Sequence, residues 1–348
     1  MEGPPKQIRQ LECTLIFMKE LTRNQKIVAG LSVIVVVAVA LLIATNPGRF
    51  QPQEQLTGFP DFFTKNEDYF ITRIGAVPSI NRDTYRLQIT GLVDNPTSFT
   101  LDQLEALNLT ELPLTVECIG NGANGKLVGT AMWKGFKVID LLESLGMAEN
   151  ATGVRYTAAD GYYASHTLDQ LENNGVLGAV YMNGVEIPPV QGFPLRILNP
   201  GYYGVKQPAW VTGIEVIDRP LEDYWQDRGW DTSQPIAIDS KIFFPSGTTS
   251  VNVSEDLEVG GCAFGGTRVK LVEYTTDGGT TWSTATIVKQ IDADNVWVFW
   301  EAHLSFSSAG QVSLQIRATD INNNQQLQTD TSPFDGTSSW PMLIINVI

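Results

Sequence analysis

The sequence predicts a mixed α+β domain followed by an all-β sandwich, the pair preceded by a transmembrane helix. Three observations predict it. Ile27 to Thr45 is an uninterrupted apolar run without a charged residue. Strand-like and helix-like patterns interleave from about residue 69 to Val216 without forming a regular βαβ array. From about residue 232 helical spacing disappears and short alternating runs take over. The 348 residues leave room for two domains that each bury a core.

The apolar run comes first. At ~1.5 Å per residue it is ~28 Å long, close to the thickness of a bilayer's hydrocarbon. Five of the six Lys and Arg residues within 1–50 precede it. The positive-inside rule then sets residues 1–26 in the cytoplasm and everything after the 27–45 span outside it, as a single-pass membrane protein with a periplasmic or other extracytoplasmic body. A cleaved signal peptide is the alternative. The run exceeds a usual signal h-region, and Ala44-Thr-Asn-Pro-Gly48 is a poor small-x-small site. Pro47, Gly48, Pro52, Gly58 and Pro60 mark residues 46–68 as a linker.

Residues 69–231 read as the mixed domain. Tyr85-Arg-Leu-Gln-Ile-Thr-Gly91 alternates as a strand, and Asp94-Asn-Pro96 turns after it. Leu101 to Leu107 has helical spacing with Thr100 as its N-cap. Val138 to Leu145 is a second amphipathic helix, closed by Gly146. Residues 232–348 read as the sandwich, immunoglobulin-like in size. Arg268 to Tyr274 and Gln311 to Arg317 alternate, and Asp277-Gly-Gly279 makes a hairpin turn before Trp282.

Charge and motif content exclude several classes. The formal net charge is −15. Six of the 23 basic and three of the 38 acidic residues lie within 1–50, leaving −18 on the remainder. That field repels nucleic acid and anionic lipid, and it suits a basic redox partner. The two histidines, His166 and His303, lie far apart and exclude a His-rich metal site. Gly120-Asn-Gly-Ala-Asn-Gly125 satisfies G-x-G-x-x-G, but no helix opens after it, so it is not a dinucleotide site. C-x-x-C-H is missing, which excludes a covalent c-type haem on this chain.

Cys118 carries the functional reading. It ends the apolar run Leu114-Thr-Val-Glu-Cys118 at the turn Ile119-Gly-Asn121. A lone cysteine is by default a small buried hydrophobe, and Cys262 in Val259-Gly-Gly-Cys-Ala-Phe264 fits that description. At a strand exit, however, a thiol faces a cleft while its backbone stays anchored. A series of motifs follows in order: Gly129-Thr-Ala-Met-Trp-Lys-Gly135, Asp160-Gly-Tyr162, Met182-Asn-Gly-Val-Glu-Ile-Pro188, Gly192-Phe-Pro-Leu-Arg196 and Pro200-Gly-Tyr-Tyr-Gly204, with Trp210 beyond. With these motifs, residues from about 69 to 345 resemble the sulfite-oxidase family of molybdopterin enzymes, most nearly its membrane-anchored bacterial members without a haem domain.

The resemblance implies a molybdenum–molybdopterin cofactor with Cys118 as its catalytic thiolate ligand. Soft sulfur suits that metal. It implies cofactor contacts from Arg73, Asn121, Asp160, Gln191, Arg196, Lys206 and Gln207, and a dimer contact through the C-terminal module. Arg196 matches the cofactor arginine, and a guanidinium fork suits a phosphate. Three positions depart from the pattern. Gly122-Ala-Asn-Gly125 stands where sulfite oxidases carry an arginine, Val180 stands where they carry a tyrosine, and Ala209 replaces a lysine. The implied function is a two-electron oxygen-atom transfer between a small-molecule oxo-donor or acceptor and an external electron carrier, a cytochrome or a quinone-linked complex. The protein would act as a homodimer or within a larger membrane complex. The alternative is an accessory scaffold subunit of a membrane electron-transfer complex, with weak or no cofactor binding.

Overall fold

A computed structural model describes residues 56–348, with Leu221, Thr331, Pro333 and Thr337 excepted. The expected cytoplasmic segment 1–26 and the expected span 27–45 lie outside the described residues. Among the described residues no helix is long and apolar enough to cross a membrane.

Two sheets build the first half. One runs in the order β2 (Thr97–Phe99), β1 (Leu87–Gly91), β10 (Val211–Ile217), β5 (Gly153–Ala158), β6 (Tyr163–Thr167). Its β1–β10 pair is parallel and the other pairs are antiparallel. The other sheet runs β3 (Thr110–Glu117), β4 (Val128–Lys137), β7 (Leu177–Met182), β8 (Val185–Glu186), and β9 (Arg196–Leu198) also pairs with β7. Three short helices pack on this frame: α1 (Leu101–Glu105), α2 (Val138–Ser144) and α3 (Leu168–Asn173). Capping boxes open α1 and α3, through Thr100 with Gln103 and Thr167 with Gln170. Gly146 follows α2 at φ +75°, where glycine carries no Cβ penalty. The apolar faces of the helices meet the first sheet in a core that includes Leu87, Leu104, Leu142, Val154, Leu171 and Ile214.

The second half is a sandwich. One sheet orders β11 (Asp239–Phe244), β13 (Leu257–Phe264), β17 (Val298–Leu304), β16 (Thr286–Lys289). The other orders β12 (Thr249–Val251), β19 (Met342–Val347), β18 (Gly310–Asp320), β14 (Val269–Thr275), β15 (Ser283–Thr284). Val259 and Trp300 from the first sheet share a core with Val272, Leu314 and Ile345 from the second, as alternating strands require. Cys262 is a buried strand residue with a free thiol.

The linker expectation fails over its described part. Residues 56–68 form a packed strap between the halves. Phe59 and Phe62 are buried with Ile119, Tyr203, Phe264, Trp297 and Phe299. Phe59 stacks on Phe299 with ring centroids 5.1 Å apart. The Trp297 indole donates to the Phe62 carbonyl at 2.9 Å, and Thr64 N–H donates to Thr130 O at 2.7 Å. Proline and glycine masked an aromatic anchor that removes large apolar surface from water.

Candidate active site

Strand β3 ends at Glu117, and Cys118 is the next residue. Its N–H donates to Leu127 O, and its carbonyl accepts from Asn121 N–H, both at 2.9 Å. The turn is therefore pinned on both sides, and the half-buried thiol faces a cavity of about 310 Å³. Burial pushes the Cys118 thiol pKa up, and the neighbouring Glu117 adds to this. The Gly120 N–H and the Thr72 hydroxyl act the other way, as donors that favour a thiolate.

The cavity brings together six of the residues expected from sequence: Cys118, Arg73, Asp160, Gln191, Arg196 and Gln207. Strand β9 starts at Arg196, whose guanidinium donates to Gln191 O at 3.1 Å and sits 5.4 Å over Trp133. Burial pulls its pKa below the usual value. Among the described residues no carboxylate forms an ion pair with it, and its Nε is sealed from solvent without a partner. Gln191 is fixed by its own donation to Tyr69 O at 3.0 Å. The Gln207 amide donates to Asn199 O at 3.3 Å and Tyr202 O at 2.7 Å, which leaves its buried Oε1 unpartnered. Asp160 Oδ1 accepts from Tyr162 N–H at 3.0 Å, so the Asp-Gly turn and the cavity wall coincide.

Two expected residues lie elsewhere. Lys206 is turned away from the cavity. Its buried ammonium pairs with Asp223, which is fully buried, and donates to Ser165 O at 3.0 Å. A cation neutralised in this way is not available to a phosphate. Asn121 lies beneath the turn rather than on the wall. Its Nδ2 donates to Glu117 Oε1 at 2.9 Å, and its Oδ1 accepts from Leu127 N–H at 3.0 Å. Gly125 makes this arrangement possible, because a Cβ there would stand 1.9 Å from Asn121 Oδ1. The 120–125 segment runs into β4 and opens no helix.

Among the cavity residues that sequence reasoning missed are Thr72, Tyr162, Trp225 and Trp230. Tyr162 stood in the Asp-Gly-Tyr motif, and its hydroxyl donates to Val205 O at 2.6 Å. The spacing of Trp225 and Trp230 gave no signal. Their rings meet edge-on at 5.9 Å, next to a 3₁₀ turn at Gln226–Arg228.

A thiol and a guanidinium without a carboxylate partner among the described residues line this cavity. They suit an anionic organic group that carries a sulfur-seeking metal. Comparison with known proteins agrees. The oxidoreductase molybdopterin binding domain matches residues 74–225, and the Mo-co oxidoreductase dimerisation domain matches residues 231–339. The chain belongs to the sulfite-oxidase-like family of molybdopterin oxidoreductases. It is 29% identical to the mitochondrial sulfite oxidase of Drosophila melanogaster, over 76% of this chain and 55% of that protein. It is 27% identical to the mitochondrial sulfite oxidase of Homo sapiens, over 83% and 60%. It is 26% identical to the NADH nitrate reductase of Ulva prolifera, over 74% and 37%. The chain thus spans little more than half the length of these sulfite oxidases. The crystal structure of the sulfane dehydrogenase SoxCD from Paracoccus pantotrophus shares the fold, with a TM-score of 0.72 at 20% identity over 82% of this chain and 83% of that one.

Proposed function

We propose that this cavity holds a mononuclear molybdopterin and supports a two-electron oxygen-atom transfer, with electrons exchanged with an external carrier. The observation that carries this reading is the Cys118 thiol, at a cavity whose wall also holds Arg196, a buried guanidinium whose hydrogen bonds go to the Gln191 carbonyl and amide oxygen. When bound, the cofactor would supply a metal able to take up and release the two electrons of an oxygen-atom transfer. Cys118 ligates that metal, and the Gly120 and Thr72 donors stabilise its thiolate against the cost of burial. Arg196 offers its fork to the cofactor phosphate. Gln207 is held at the wall by its two amide donations, to Asn199 O and Tyr202 O. Tyr162, Trp225 and Trp230 give the cavity an aromatic wall.

On the substrate, the cavity lacks an arginine after the Gly-Asn turn, and Lys126 is not on its wall. Arg73 remains as an exposed cation at the wall. Aromatic walls with so little positive charge favour a neutral or zwitterionic oxo-donor or acceptor, such as a sulfoxide or thioether, over the sulfite dianion. The dimerisation-type module supports a homodimer or a place in a larger complex. The apolar 27–45 run supports a membrane anchor with the body outside the cytoplasm.

Two measurements test this reading. Beyond the bands of the cofactor's own dithiolene sulfurs, a cysteine-sulfur-to-metal charge-transfer absorption is expected in the loaded protein and lost in loaded Cys118→Ser; a spectrum identical in the two loaded proteins would remove Cys118 from the metal. With an artificial mediator, catalytic efficiency is expected to be higher for sulfoxide reduction than for sulfite oxidation. The reverse order would return the substrate to sulfite, with Arg73 supplying the charge.

A further inference from the structure

A lysine from the sandwich sits under the turn that carries Cys118. Lys241 lies on β11, and only 2% of its side chain is exposed. Its ammonium donates to Asp239 Oδ2 at 2.6 Å and to Gly122 O at 2.9 Å, with Glu117 Oε1 at 3.0 Å. An ammonium has three donors, and all three are used. Glu117 precedes Cys118, and Gly122 follows it by four residues. One ammonium therefore grips the turn from both flanks. The grip itself is held firmly. Asp239 Oδ1 accepts from Ser240 N–H and from Gln326 Nε2, each at 2.7 Å. Glu117 Oε1 also accepts from Asn121, the residue that closes the turn.

We propose that Lys241 is a positioning residue for Cys118, so that the C-terminal module sets where the thiol stands. The backbone bonds that pin the turn run to itself and to Leu127, not to the sandwich. Gly120, Gly122 and Gly125 give its backbone wide freedom. Two of its backbone bonds, Asn121 N–H to Cys118 O and Gly125 N–H to Gly122 O, close within the turn and do not tie it to the sandwich beneath. A second tie points the same way as Lys241: Asn124 Nδ2 donates to Met342 O on β19 at 3.1 Å. The consequence for catalysis rests on the reading of Cys118 as the metal ligand. The positioning itself does not.

The test follows the thiol in cofactor-free protein, so it stands even if the metal reading fails. The double variant Lys241→Met/Glu117→Gln removes one cation and one carboxylate together, leaving the formal charge of the cluster unchanged, and the amide oxygen it introduces still accepts from Asn121. Iodoacetamide labelling is read peptide by peptide, so that Cys118, Cys262 and Cys13 are scored separately. It is read as the plateau rate above the thiol's titration, so that loss of the Glu117 charge, a change that itself favours the thiolate, does not count as a change of access. Labelling of Cys118 is expected to speed up roughly tenfold while Cys262, buried on the neighbouring strand, stays unreactive. An unchanged Cys118 rate would overturn the proposal. So would a parallel rise at Cys262, which reports opening of the whole sandwich. If the double variant does not fold, Lys241→Arg keeps the charge but spreads it over a planar fork. Faster Cys118 labelling supports positioning, and an unchanged rate reduces Lys241 to charge neutralisation.

Discussion

The Arg196 guanidinium lies 5.4 Å over the Trp133 ring and donates to the Gln191 carbonyl at 3.1 Å. Both partners are neutral. A cation held this way keeps its charge available, and burial already weakens its hold on the proton. Replacing it by Met is expected to weaken cofactor binding by about 1.5–3 kcal/mol, the worth of a charge-assisted hydrogen bond. The same change is expected to leave the cofactor-free protein as stable as the wild type or more so. Cofactor titration and thermal unfolding of cofactor-free protein check both halves; unchanged affinity would contradict the phosphate assignment.

Lys206 is expected to behave in the opposite way. Its buried pair with Asp223 is structural. Lys206→Met strands a fully buried carboxylate and is expected to cost about 3–5 kcal/mol of stability. Lys206→Met/Asp223→Asn is expected to recover most of that loss with full cofactor content. A stable double variant that cannot retain cofactor would put Lys206 back at the phosphate.

His166 gives a pH signature. Burial first, and the Lys206 charge second, hold its imidazole down to about 3. Its Nε2 donates to Lys206 O at 2.8 Å. Below its ordinary value of 6.5 the unfolded chain takes up a proton that the folded chain refuses. The contribution is thus complete above that value and is lost as the pH falls toward 3, at up to about 1.4 kcal/mol per pH unit. His166→Gln keeps a donor but does not titrate. The stability difference between wild type and variant is expected to be flat above about pH 7 and to fall steadily between about pH 6 and 4. Denaturant unfolding across that range measures it, and a flat difference would show that His166 is not held neutral.

The strap carries its own expectation. Phe59 stacks on Phe299 and meets Phe244 edge-on at 4.9 Å. Phe59→Ala is expected to destabilise the described body by about 3–5 kcal/mol. A free linker residue would show almost no change on denaturant unfolding.

What was legible in the sequence followed local rules. Thr100 and Gly146 mark the bounds of α1 and α2 because caps are written within a few residues. The strand exit at Cys118 was legible because a β-branched run meets a Gly-Asn turn there. The change of pattern near residue 232 was legible because strands alternate and helices do not. What stayed hidden is tertiary. Lys206 and Gln207 are adjacent, yet Gln207 lines the cavity while Lys206 reaches Asp223, and no spacing announces that partner. Asn121 read as part of the site because it sits beside it in sequence, but its amide is used inside the turn. Lys241 lies on a strand that reads as ordinary sandwich, and its role appears only once β11 is set against the end of β3.

Cys118 is the residue proposed to hold the molybdenum centre. Elemental analysis of wild type and Cys118→Ser, both purified from a host that makes the cofactor, tests it most directly. Serine replaces a soft ligand by a hard, protonated one. Stoichiometric molybdenum is expected in the wild type and little in the variant, with the same unfolding midpoint for both cofactor-free proteins. Equal molybdenum in the two, or a metal-free wild type with Cys118 and Cys262 joined as a disulfide, would contradict it.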